Sequence, residues 1–206
     1  MGNLQELIKE EFSRLRSTSL SSIYRSIGHA VGRYLPGTIY IAQVGVCNKT
    51  PIAFALAEGI GEERYKIIVI DPDIIHHPGA EYRRGLAEQL PLQSGGANIL
   101  LYNDTLRFIL SADSRAESFD PKSFYDSNEV KLSKVCSEIE RIIPDCVIFR
   151  DPALHPIYKG HFKTPEELHK LILENLKPKY EDIGFEGLMG KFFDGTLESW
   201  LFLLKD

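Results

Sequence analysis

Residues 38–71 read TIYIAQVGVCNKTPIAFALAEGIGEERYKIIVID, and this stretch decides the fold. Thr38 to Val46 is a short β-branched and aromatic run, which spells a strand. Thr50 and Pro51 suit an N-cap and a first helical position, and Ile52 to Glu58 is an apolar helix stopped by Gly59 and Gly61. Lys66 to Ile70 is a second strand, apolar almost throughout, as expected where helices cover both faces of a parallel sheet. The whole is one βαβ unit of about 30 residues, whose crossover is right-handed almost without exception.

Working outward, the alternation continues. Glu81 to Leu90 reads as a short helix, Asn98 to Tyr102 as a third strand, and the polar, Ser- and Asp-rich run 111–127 as a surface loop or lid. Glu129 to Ile143 has helical spacing and stops at Pro144; Asp145 to Arg150 is a fourth strand. Thr164-Pro165-Glu166-Glu167 is a capping box opening a helix that ends at Lys177-Pro178. Phe185 to Phe193 and Leu197 to Leu204 flank Asp194-Gly195 and read as a hairpin. Ahead of the first strand, Leu4 to Leu15 and Leu20 to Leu35 are two amphipathic helices. The expectation is a single α/β domain over 1–206: an N-terminal helix pair (1–36), then a doubly wound, mostly parallel sheet with helices on both faces and a C-terminal antiparallel hairpin (38–206).

Composition narrows the partners. A net charge of −5 argues against an extended nucleic-acid surface, which needs clustered Lys and Arg. Three scattered cysteines make neither a disulfide framework nor a zinc pair, so reduced thiols and a cytoplasmic location are expected. No apolar run approaches the roughly 20 residues of a membrane span, and the first residues interleave acids and bases, unlike a secretory signal. The helix pair is expected to pack on the body; a protein partner bound through it is the alternative.

In open parallel sheets, ligands bind beyond the carboxyl ends of the strands. There the sequence places Gln43, Gly45, Val46 and Asn48 after strand one, Asp71 and Pro72 after strand two, Asn103 and Asp104 after strand three, and Asp151 with His155 after strand four. Gly45 lets a backbone approach a ligand, and the following helix start offers N–H groups. Asp71 sits where an acid accepts from ribose hydroxyls, Asp104 suits an exocyclic amine, and Asp151 or His155 suits a base or substrate contact. The plainer reading is that such acids cap helices or open Asx turns, as Asp-Pro pairs commonly do. His76-His77 fits an exposed loop pair better than a metal site, since adjacent side chains rarely point at one ion; no metal is expected. A nicotinamide site lacks its G-x-G-x-x-G, and a phosphate-cradling P-loop lacks its second glycine.

On these residues the chain resembles the class I S-adenosylmethionine-dependent methyltransferases. The resemblance rests on helices ahead of strand one, an acid closing strand two, a polar pair after strand three, Asp151-Pro152 after strand four, and Leu168–Pro178 (LHKLILENLKP). The C-terminal Trp200–Leu204 run is similar to that family's antiparallel last strands. It implies S-adenosylmethionine as cofactor and methyl transfer to an oxygen or nitrogen nucleophile. The first loop departs from the family's acid-x-Gly-x-Gly-x-Gly, because Gln43 replaces the acid and only Gly45 remains. A non-catalytic scaffold or accessory subunit is therefore the alternative. A narrower similarity, of 38–42 and 67–78 to poxvirus-type RNA cap 2′-O-methyltransferases, would put Asp151 together with Lys49 or Lys177.

Overall fold

A computed structural model describes residues 4–15, 19–45, 51–61, 63–73, 76–106, 109, 127–152, 165–176, 179–184 and 198–205. Its elements are α1 (Leu4–Ser13), α2 (Leu20–Tyr34), β1 (Ile39–Val44), α3 (Ala53–Ile60), β2 (Tyr65–Asp71) and β3 (Ala80–Arg84). There follow β4 (Ile99–Asn103), α4 (Asn128–Ile142), β5 (Cys146–Pro152), α5 (Pro165–Leu176), β6 (Tyr180–Asp182) and β7 (Glu198–Lys205). The sheet has seven strands in the order β3-β2-β1-β4-β5-β7-β6. Strands β1 to β5 run parallel, and β7 is inserted antiparallel to both β5 and β6. The chain moves outward from β1 through β2 to β3, then returns to β4 on the other side of β1. That reversal opens the crevice in which such sheets hold ligands.

Strand alternation divides the core in two. Ile39, Ile41, Ile67, Val69, Ile99, Leu101, Ile148 and Phe202 pack against α1, α2 and α3. Ala42, Val44, Ile68, Ile70, Leu100, Tyr102, Phe149 and Leu203 pack against α4 and α5. The apolar faces of the N-terminal helices (Leu4, Ile8, Phe12, Ile23, Tyr24, Ile27) are spent on this chain's own core.

Helix α2 meets α3 backbone to backbone. A Cβ on Gly28 would stand 2.0 Å from the Leu56 carbonyl oxygen, and one on Gly59 would stand 2.0 Å from that of Arg25. Only glycine fits either side. The far end of α2 is held by Arg64, whose guanidinium donates to the carbonyls of Gly32, Leu35 and Gly37, a cation at a helix C-terminus.

Three sequence readings change. Residues 80–84 form an edge strand rather than the start of a helix. Their helix-forming residues are overruled by pairing along β2 and by Ala80 and Tyr82 packing on the core. Helix α3 starts later than Pro51, and Ile52 at its start gives no side-chain cap. The C-terminal strand β7 is present, but its partners are β5 and the three-residue β6, in a segment too short to show a period; the expected first hairpin arm lies outside the described residues. The 111–127 loop, Ser127 apart, lies outside them as well.

Both helix-packing glycines should be intolerant of a methyl group. Gly28→Ala and Gly59→Ala are each expected to cost stability at the upper end of the roughly 1–3 kcal/mol typical of overpacking, measured by urea unfolding. Tyr102 behaves in the opposite way. Its hydroxyl is buried beside Phe149 with no hydrogen-bond partner among the described residues. Tyr102→Phe should therefore leave stability unchanged or raise it.

Candidate functional site

The carboxyl edge of the sheet is built by register. Val44 pairs laterally with Ile70 on one side and Tyr102 on the other. The next residue on each strand, Gly45, Asp71 and Asn103, thus stands in one row, with Gly45 in the middle. At about 4.8 Å between strands, Asp71 and Asn103 lie roughly 10 Å apart. All three are on the α1-α2-α3 side, as are Gln43 and, in register with Asn103, Arg150. Sequence reading missed Arg150, and the signal that exposes it is its pairing opposite Asn103 and Trp200.

Gly45 has φ +73°, and its N–H donates to the Ile70 carbonyl at 2.8 Å. A Cβ there would be 3.0 Å from the Thr105 methyl, while the Thr105 hydroxyl donates to the Val44 carbonyl at 2.7 Å. Left-handed backbone and a blocked Cβ position make Gly45 the residue the turn requires.

Gln43 is buried, and its Oε1 accepts from the Ala53 N–H at 2.9 Å. The strand-one amide therefore caps α3, a task the sequence assigned to Thr50, which lies outside the described residues. Asp71 is also buried, and its Oδ1 accepts from the Asp73 N–H at 3.0 Å, forming an Asx turn over Pro72. Asn103 Oδ1 accepts from the Tyr24 hydroxyl at 3.1 Å. Tyr24, a residue of α2, is buried and packs against Trp200 with ring centroids 5.4 Å apart. Asp104 takes a left-handed backbone (φ +57°) and donates its N–H to the Arg150 carbonyl. Val46, Asn48, Lys49, His155 and Lys177 lie outside the described residues.

Asp151 corrects the sequence reading. It was expected to face the pocket, but alternation turns it to the opposite side of the sheet, where it is wholly buried. Its Oδ2 lies 3.4 Å from His169 Nε2 of α5, and His169 Nδ1 lies 3.0 Å from the Ser199 hydroxyl of β7. Asp151 and Ser199 are register partners across the antiparallel pair. With all three side chains buried, this chain of polar groups ties α5 to β5 and β7. It has the residue types of a nucleophilic triad without the access one needs.

His76 and His77 lie against the Tyr82 ring, with centroids 5.6 and 6.1 Å away. No group of three metal-ligating side chains occurs among the described residues. Burial, with Glu140 nearby, pushes the Cys136 thiol up to about 12, and burial, with Asp145 nearby, raises Cys146 further. Neither is a nucleophile near neutrality. No described helix is long and apolar enough to cross a membrane.

Solved structures supply the comparison. Over its full length the chain matches the whole of a SAM-dependent methyltransferase from Aquifex aeolicus, at TM-score 0.52 and 12% identity. The fold is that of the S-adenosylmethionine-dependent methyltransferases. The CurJ carbon methyltransferase superposes on 99% of this chain at TM-score 0.59 and 10% identity, the match spanning 61% of its own length. The [4+2]-cyclase SpnF superposes on 92% of this chain and 84% of its own, at TM-score 0.51 and 12% identity. No family model matches the sequence, and no curated protein matches it.

Two outcomes follow. Removing Asp151 takes the carboxylate from the buried His169 Nε2 and leaves only the Ser199 contact, so Asp151→Ala should cost about 1–3 kcal/mol in urea unfolding. At pH 8 a thiol reagent should leave Cys136 and Cys146 unmodified in the native protein and titrate all three cysteines after unfolding; a mass-resolved time course reads this directly.

Proposed function

We propose that the chain is an S-adenosylmethionine-dependent methyltransferase acting on an oxygen or nitrogen nucleophile. The observation that carries the reading is the row Asp71–Gly45–Asn103 at the switch point of a sheet whose fold matches that of a solved methyltransferase. The residues fit the cofactor chemically. Asp71 is an acceptor for ribose hydroxyls, Gly45 has no side chain between the backbone and a ligand, and Asn103 with Gln43 brings polar groups to the amino-acid end.

S-adenosylmethionine, when bound, supplies an electrophilic methyl group, and this chain's part is to hold it and to orient the acceptor. Positioning alone is worth up to about 7–11 kcal/mol of barrier, so no strong base is required of the described residues. Asp151, turned toward His169, is not given that role; His155 keeps it as a proposal on sequence grounds. The cap 2′-O-methyltransferase reading loses its support with Asp151, the residue on which it was centred.

A non-enzymatic scaffold is the second reading, favoured by Gln43 in place of the loop acid and by the bond that Gln43 makes to α3. SpnF, a cyclase, illustrates that this fold does not fix an activity. Titration calorimetry with S-adenosylmethionine and S-adenosylhomocysteine separates the two. Binding of either supports the enzyme, and no heat at millimolar ligand with folded protein sinks it. Asp71→Asn keeps an oxygen for the Asp73 N–H while deleting the charge. It should weaken both ligands by about 1.5–3 kcal/mol and leave the melting temperature nearly unchanged.

A further inference from the structure

We propose that the amino-acid end of the pocket recognises its ligand chiefly through the carboxylate, by amide N–H donors of Gln43 and Asn103, with Tyr24 as the positioning residue. The inference rests on the adenosyl-ligand reading above and deepens it.

The orientation of Gln43 is chemically forced. The Ala53 backbone N–H can only donate, so the Gln43 oxygen must face it and the Nε2 must face away. Asn103 is set in the same sense, because Tyr24 offers its hydroxyl proton to Oδ1 and leaves Nδ2 on the other side. No described acceptor takes either amide nitrogen. Tyr24 itself is held in place, because its ring is packed on Trp200 and its helix is locked to α3 at Gly28, one turn on.

The two amides sit on adjacent strands, on one face, and Arg150 follows on the next strand of that face. The β1 and β4 ends therefore present amide donors, and the acid of this row, Asp71, stands at the β2 end. A ligand with hydroxyl donors at one end and a carboxylate at the other matches that polarity in one direction only. An acid at position 43 would favour the ligand's ammonium; glutamine, held in this orientation, favours the anion.

The test is a binding series by calorimetry: S-adenosylhomocysteine, its decarboxylated and its deaminated analogues, and 5′-methylthioadenosine, which lacks the amino-acid group altogether. Loss of the carboxylate should weaken binding about tenfold or more, and loss of the ammonium by no more than about threefold. Gln43→Glu retains an acceptor for Ala53 but removes the donor; it should weaken S-adenosylhomocysteine about tenfold and leave methylthioadenosine unchanged. Tyr24→Phe should do the same to a lesser degree, whereas a purely structural role would move all ligands together. The inference is overturned if the decarboxylated analogue binds as well as the parent, or if Gln43→Glu tightens the parent. Should either variant fail to fold, the analogue series on the unaltered protein decides alone. If even methylthioadenosine fails to bind, the adenosyl reading falls and this inference with it. If it binds and the carboxylate proves dispensable, only this inference falls.

Discussion

The site depends on two helices that touch without side chains between them. Where α2 crosses α3, Gly28 and Gly59 let each backbone rest on the other's carbonyl. Nothing about ligand binding is written at that crossing, yet it fixes both helices that reach the carboxyl edge of the sheet. Helix α3 begins where Gln43 caps it, and α2 delivers Tyr24 to Asn103. A shift of one helix by a methyl group's width would displace both polar groups at once. Packing at this density transmits such shifts because it has no slack to absorb them.

The same arrangement explains how a substituted loop can coexist with an intact fold. Glutamine at position 43 satisfies an N–H that every helix start leaves orphaned, and it does so from inside the sheet. That bond spends the oxygen and reverses the electrical character of the strand end, from acceptor to donor. Structural need is met by one end of the amide, and on the reading proposed above recognition falls to the other.

Legibility in the sequence followed the length and isolation of each signal. Strands β1, β2, β4 and β5 were readable because each is a run of apolar residues between breakers, and α4 because its period is long. The strand at Ala80–Arg84 was not, since Glu and Arg favour a helix and only the neighbour β2 makes them extended. Three residues, Tyr180 to Asp182, are too few to show any period. At the site, the residues that close strands were placed correctly along the chain, and the row at the sheet edge follows from them. The face was not legible for Asp151. A strand end shifted by one residue flips a side chain across the sheet, and only the register with β4 and β7 reveals the side. Tyr24 falls on the apolar face of its amphipathic helix, which marks it as core, and its hydroxyl's partner is 79 positions away in the chain.

Arg64 carries a consequence for how the chain folds. By gripping the carbonyls at the end of α2 from the entrance to β2, it closes residues 20–71 into one contiguous unit, α2-β1-α3-β2. The β1–β2 pairing within that unit joins residues 26 positions apart, so its loop-closure entropy is smaller than that of a more distant pairing. The β5–β7 pair must instead join residues 46 to 58 positions apart. Order would then spread across the sheet from β1 toward the β5–β7 pair, and backbone amides in the first half would exchange with solvent last.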